Sequence, residues 1–219
     1  MIVGIVAVLA VVAVVVILLF SGGDNPITRV LGGASSSDKP IPEFSFTIAK
    51  AQAVPTKVGV TPKKLAGKAK SATKAAATVL DTFYTDAFLD PNVWGQDPTA
   101  FDAFTPDAKA AATKRLNILT AGPRAADELT DLQPAPSKLS TKVLFDAKGA
   151  AYQVMATVLF TADATLTSGD HATLVSTGQY FLTQVGGSWK VVAFEVKRAD
   201  KATAVSSGSS GPSATGGQS

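Results

Sequence analysis

The sequence predicts an α+β domain carried behind a transmembrane helix. Three observations lead there. The first twenty residues form an uncharged apolar run, hydrophobic residues then recur every three or four positions through residues 61–120, and from residue 139 the spacing switches to two. Helices packed on one face of a curved, cone-like antiparallel sheet of about four strands are the expected arrangement, followed by a disordered C-terminal tail. The expected organisation is anchor 1–20, flexible tether 21–60, α+β domain 61–198 and tail 199–219.

Ile2 to Phe20 reads IVGIVAVLAVVAVVVILLF, with Val, Ile, Leu or Phe at fifteen of nineteen positions and no charge. At about 1.5 Å per residue the run reaches roughly 29 Å, close to the thickness of a hydrocarbon core. Its insertion is favourable by very roughly 4 to 9 kcal/mol. A cleaved signal peptide is the rival reading, and Ser21-Gly22-Gly23 supplies small residues for a cleavage site. The length of the run and the missing basic stretch before it favour a retained anchor. Arg29 and Lys39 follow the run and are offset by Asp24 and Asp38, so charge sets the orientation only weakly. The low-charge, hydroxyl-rich, cysteine-free body suits export, and an extracytoplasmic domain of a cell-membrane protein is expected.

Residues 21–60 read as a tether because Gly pairs, a Ser run and prolines at 26, 40, 42 and 55 interrupt both helices and ladders. Within it, Phe44-Ser45-Phe46-Thr47-Ile48 alternates, as a short edge strand or a docking segment would. Thr61-Pro62 then opens a long helix. Leu65, Ala69, Ala72, Ala76, Val79, Phe83 and Ala87 form its apolar stripe, Leu80, Tyr84 and Phe88 widen it, and Asp90-Pro91 ends it. Asp97-Pro98 opens a short helix to Phe104. Thr105-Pro106-Asp107 opens a third to about Thr120, stopped by Gly122-Pro123, and a further turn is expected around Asp127 to Leu132.

Four strands are expected next: Leu139–Phe145, Ala151–Thr165, Ala172–Val185 and Trp189–Lys197. Asp146-Ala147-Lys148-Gly149, Ser168-Gly169-Asp170 and Gly186-Gly187 are the intervening turns, so the strands should run antiparallel. Beyond Lys201 the chain is Ser/Gly/Thr/Ala-rich and too poor in apolar residues to offset its ordering entropy.

The closing stretch Gly186-Gly187-Ser188-Trp189-Lys190-Val191-Val192-Ala193-Phe194 and the helix end Val79-Leu80-Asp81-Thr82-Phe83-Tyr84 resemble the nuclear transport factor 2-like superfamily. The resemblance spans 61–198, and the opening helix departs from it by its length. It implies a cone with a pocket between sheet and long helix. It leaves function open, because that superfamily includes isomerases, dehydratases, transport adaptors and membrane-anchored envelope domains.

Composition narrows the chemistry. With no cysteine, disulfides, thiolate zinc sites, iron–sulfur clusters and a thiol nucleophile are excluded. A net charge of +3 without a basic block gives no footprint for nucleic acid. His171, the only histidine, falls in a turn and reads as solvated. Asp81 and Tyr84 share a helical face near Asp86, a possible base and donor, although a surface Asp and a core Tyr are the commoner roles. Glu195 and Lys197 read as a surface pair. Trp189 reads as core, and Trp94, in the loop Pro91-Asn92-Val93-Trp94-Gly95, as core or as a contact residue. Lys63, Lys64, Lys68, Lys70 and Lys74 crowd the start of the long helix, where they oppose its dipole. They form a solvated face or a contact with anionic lipid.

The expected function is therefore non-catalytic and needs no cofactor: protein–protein interaction or assembly at the cell envelope, with Tyr84, Trp94, Lys63, Lys64 and Lys68 as candidate contact residues. Binding of a small apolar ligand or lipid in the cone is the alternative, followed by a cofactor-free isomerase or dehydratase.

Overall fold

The computed structural model describes residues 39–56, 60–95 and 99–203. The expected span Ile2–Phe20 and most of the expected tail lie outside these residues. Among the described residues no helix is long and apolar enough to cross a membrane.

The domain is α+β, with helices packed on a mixed sheet. Its elements are β1 (Thr47–Pro55), α1 (Pro62–Tyr84), a π-helical turn (Thr85–Leu89), a 3-10 turn (Thr99–Ala103), α2 (Pro106–Thr113), α3 (Leu116–Leu119) and α4 (Ala125–Glu128), followed by β2 (Leu129–Phe145), β3 (Ala151–Leu166), β4 (His171–Val185), β5 (Ser188–Arg198) and β6 (Lys201–Thr203). Five strands follow the order β1-β2-β3-β4-β5, and short β6 pairs with β4. The β2–β3–β4–β5 ladders are antiparallel as expected.

The sheet differs from expectation in three places. Residues 47–55, read as tether, form strand β1, which pairs parallel to β2 from Thr47↔Lys138 to Pro55↔Phe145. The sheet is thus mixed and larger than four strands. The residues just before β1 explain its docking, because Phe46 is buried and the Phe44 ring meets Phe160 edge-on at 5.3 Å. Second, β2 begins ten residues before Leu139 and contains Pro134 and Pro136. Proline lacks a ladder donor, but β1 covers β2 only from Lys138 onward, so both prolines sit where β2 is an edge. The β2–β3 register shifts between Ala135 and Lys138, which absorbs Pro136. Third, β6 places Lys201–Thr203, expected in the tail, beside His171–Thr173.

The helical stripe of α1 is as spaced. Leu65, Ala69, Ala72, Ala76, Leu80, Phe83 and Tyr84 are buried, and Thr73, also buried, shares a 2.6 Å hydroxyl hydrogen bond with Thr141 of β2. The alanines let the first half of α1 approach the sheet, while the second half carries the rings. The expected helix to Thr120 breaks into α2 and α3 at Lys114–Arg115, where Arg115 leaves helical geometry (φ −131°, ψ 32°). Its guanidinium lies over the Phe194 ring at 5.7 Å and donates to the Val196 carbonyl at 3.3 Å, tying the break to β5.

Between α1 and the sheet, the space is taken by aromatic rings. Tyr84 stacks on Phe88 at 5.2 Å and meets Phe160 at 4.7 Å and Phe46 at 5.1 Å, and Phe83 meets Phe104 at 5.1 Å and Tyr180 at 5.8 Å. Such pairs contribute roughly 0.5–1.5 kcal/mol each beyond the area they bury.

Candidate functional site: a cavity at the π-turn

The site is built where α1 ends. The π-turn is closed by the Asp90 N–H donating to the Thr85 carbonyl at 2.9 Å, five residues back. A wide turn of this kind is uncommon and recurs at functional sites. It keeps Ala87, Phe88 and Leu89 buried and leaves Asp86 half-buried. The chain reverses at Asp90, whose Oδ1 accepts the Asn92 N–H at 2.9 Å. Trp94 then folds back, and its indole N–H donates to the Phe88 carbonyl at 2.8 Å.

A second turn faces this loop. The Ala121 N–H donates to the Ala87 carbonyl at 2.9 Å, joining the residues after α3 to the π-turn. Gly122 adopts φ +118° and Gly95 φ +76°. A Cβ on Gly95 would lie 3.0 Å from the Pro123 carbonyl oxygen, so glycine is required there by conformation and by space. Between the two turns lies a cavity of about 260 Å³, lined among others by Asp86, Trp94, Thr113, Leu116, Thr120 and Pro123.

The polar groups of this cavity are unevenly committed. Thr113 donates its hydroxyl to the Lys109 carbonyl at 2.9 Å, Thr120 to the Leu116 carbonyl at 2.7 Å, and Trp94 to Phe88. The Asp86 carboxylate has no hydrogen bond or ion pair among the described residues. Desolvation raises its pKa above the ordinary carboxylate value, and the nearby negative charge of Asp90 raises it further.

A broader polar hollow of about 440 Å³ adjoins it, lined in part by Arg124, Glu128, Arg198 and Asp200. Its charges are paired, Arg124 with Glu128 at 2.6 Å and Arg198 with Asp200 at 2.8 Å. Arg198 also donates to the carbonyls of Thr120 at 2.7 Å and Ala121 at 2.9 Å, which clamps the end of β5 to the turn after α3.

The candidate contact residues do not converge. Tyr84 is fully buried, and its hydroxyl shares hydrogen bonds with Ser176 at 3.2 Å and Tyr180 at 3.1 Å. It is therefore a core residue with no exposed surface, and burial pushes its pKa up to about 12. Asp81 is turned to another task, accepting the Phe46 N–H at 2.8 Å, and forms no pair with Tyr84. Trp94 is 6% exposed yet lines the cavity. Lys63, Lys64 and Lys68 are exposed at the other end of α1, some twenty residues or about 30 Å along the helix. Lys68 donates to the Gly149 carbonyl at 2.7 Å. His171 is exposed at the start of β4, and Trp189 is buried. Glu195 and Lys197 form no ion pair with each other, although they share a strand face.

Sequence reasoning placed Trp94 and Asp86 near the site but missed the second wall. Gly122-Pro123 reads from sequence as a helix stop, and the Ala121–Ala87 hydrogen bond joins it to the π-turn. Among the described residues no group of three His, Asp or Glu side chains is placed to hold a metal. No protein-family model matches the chain, and no curated protein matches it in sequence.

Proposed function

We propose that the chain is a single-pass membrane protein, anchored through Ile2–Phe20, whose extracytoplasmic domain is a non-catalytic module that binds another protein at the cell envelope. The observation that carries this reading is the filled interior. In a nuclear transport factor 2-like cone, the expected room for substrate or lipid lies between the long helix and the sheet. Here Phe83, Tyr84, Phe88, Phe160 and Tyr180 are fully buried in that space, and the two tyrosine hydroxyls are bonded to each other. This packing weighs against an apolar ligand or a substrate in the cone and moves attention to the surface. The helical layer on one side of the sheet and the β2–β5 meander support the superfamily resemblance.

The test is crosslinking in native membranes followed by affinity capture of the full-length chain. The reading expects a stoichiometric protein partner that is lost when residues 39–203 are deleted and the anchor is kept. Capture of the anchor-only chain with the same partner, or no partner at any crosslinker dose, overturns it.

A further inference from the structure

The cavity at the π-turn has a chemical bias. Every side-chain donor that lines it is already used: Trp94 by Phe88, Thr113 by Lys109 and Thr120 by Leu116. The remaining polar group is the Asp86 carboxylate, half-buried and without a hydrogen bond or ion pair among the described residues. The nearby charge of Asp90 is repulsive to it. A cation brought to this half-buried carboxylate gains a charge-assisted hydrogen bond that no described residue now supplies.

The apolar lining adds a second preference. Trp94 supplies an indole, Leu116 an aliphatic wall and Pro123 a ring. Aromatic faces attract cations, and aliphatic walls accept a methylene stem. At about 260 Å³ the cavity is smaller than the usual drug-sized pocket and suits the end of one side chain.

We propose that the cavity between the π-turn and the Gly122 turn binds an organic cation on a short aliphatic stem, the chemistry of a lysine side chain or of a small alkylamine. The ligand brings a positive charge and N–H donors to the Asp86 carboxylate. As a lysine of a protein partner, the cation deepens the binding-module reading and rests on it. As a free amine it stands alone.

The experiment uses the full-length chain in detergent micelles with Trp189→Phe, so that the fluorescence reports Trp94. The probes are n-butylammonium, its neutral counterpart n-butanol, and a lysine with both backbone ends blocked. A saturable change with butylammonium and none with butanol is expected. Asp86→Asn should weaken binding by roughly 30-fold or more, as expected when one member of a desolvated charge pair is lost. Its melting temperature, read in parallel, should match that of the parent. Trp94→Phe, followed by calorimetry, should retain a weaker response. Tighter binding of blocked lysine than of butylammonium assigns the cation to a partner side chain, and the reverse assigns it to a free amine. Equal responses to butanol and butylammonium, or an unchanged affinity in Asp86→Asn, overturn the proposal. If Asp86→Asn loses the amine response but keeps partner capture, the cavity and the partner site are separate. If capture fails while the amine response persists, the binding-module reading falls and the cavity stands.

Discussion

The backbone N–H of Phe46 donates to Oδ1 of Asp81 at 2.8 Å, which fastens the chain entering β1 to the last turn of α1. Burial raises the Asp81 carboxyl above its usual value of 3.8, and the Phe46 bond opposes this in part. The native state therefore holds the proton more tightly than the unfolded chain. The stability this contributes is present at low pH and is lost as pH rises through the folded pKa. Asp81→Asn keeps an acceptor without the charge and should match or exceed the parent at neutral pH. Its advantage should shrink as pH falls to about 4. Asp81→Ala leaves the Phe46 donor unpaired and should cost about 1–2 kcal/mol. Urea unfolding of the three proteins at several pH values checks both signs.

β1 is predicted to belong to the folding unit. A fragment that starts at Lys39 should unfold cooperatively, whereas one that starts at Thr61 should not. The shorter fragment removes Phe44, Phe46 and the strand covering β2 from Lys138 to Phe145, exposing Leu139 and Val143, both fully buried in the intact sheet. Circular dichroism melts of the two fragments decide it.

Tyr84 and Tyr180 share a buried hydroxyl contact at 3.1 Å, with Ser176 beside it. Neither phenol should ionise before alkaline unfolding, since burial holds Tyr84 at about 12 and Tyr180 well above its ordinary value. An ultraviolet titration should show the two-tyrosine step coinciding with loss of the circular dichroism signal. Tyr84→Phe keeps the ring packing and should cost about 1–2 kcal/mol through the unpaired groups it leaves.

Gly178 of β4 pairs with Val196 of β5, and the β5 backbone lies directly over it. A Cβ there would collide with the Glu195 carbonyl oxygen and lie 2.6 Å from the Val196 Cα. Both obstacles are backbone and cannot swing aside. Gly178→Ala should destabilise by about 3 kcal/mol or detach β5, while Thr177→Ala on the exposed face should be near neutral. Hydrogen exchange along β5 distinguishes detachment from a uniform loss of stability.

The parts of the fold set by local spacing were legible in the sequence. The α1 stripe from Leu65 to Phe83 and the β3–β5 meander with its Gly turns follow from periods of 3.6 and 2. The missing parts depended on distant partners. β1 looks like linker because Thr47–Gln52 are all exposed in the finished fold, and its pairing rests on β2, some ninety residues later. Pro134 and Pro136 argue against a strand only if β2 is taken as central throughout, and the extent of β1 is not written in β2 itself. The cavity was half legible. Asp86 and Trp94 are local to one helix end, but the Thr120–Pro123 wall arrives through a long-range hydrogen bond.

The proposed envelope role requires the domain to lie on the outer side of the membrane. The chain has no cysteine, so one can be introduced as a unique label. Ser210→Cys, treated in intact cells with a membrane-impermeant maleimide, tests this directly. Labelling before lysis, with the protein in the membrane fraction, is the predicted result. Labelling only after lysis would put the domain in the cytoplasm and contradict the account, as would recovery of the labelled protein from the medium.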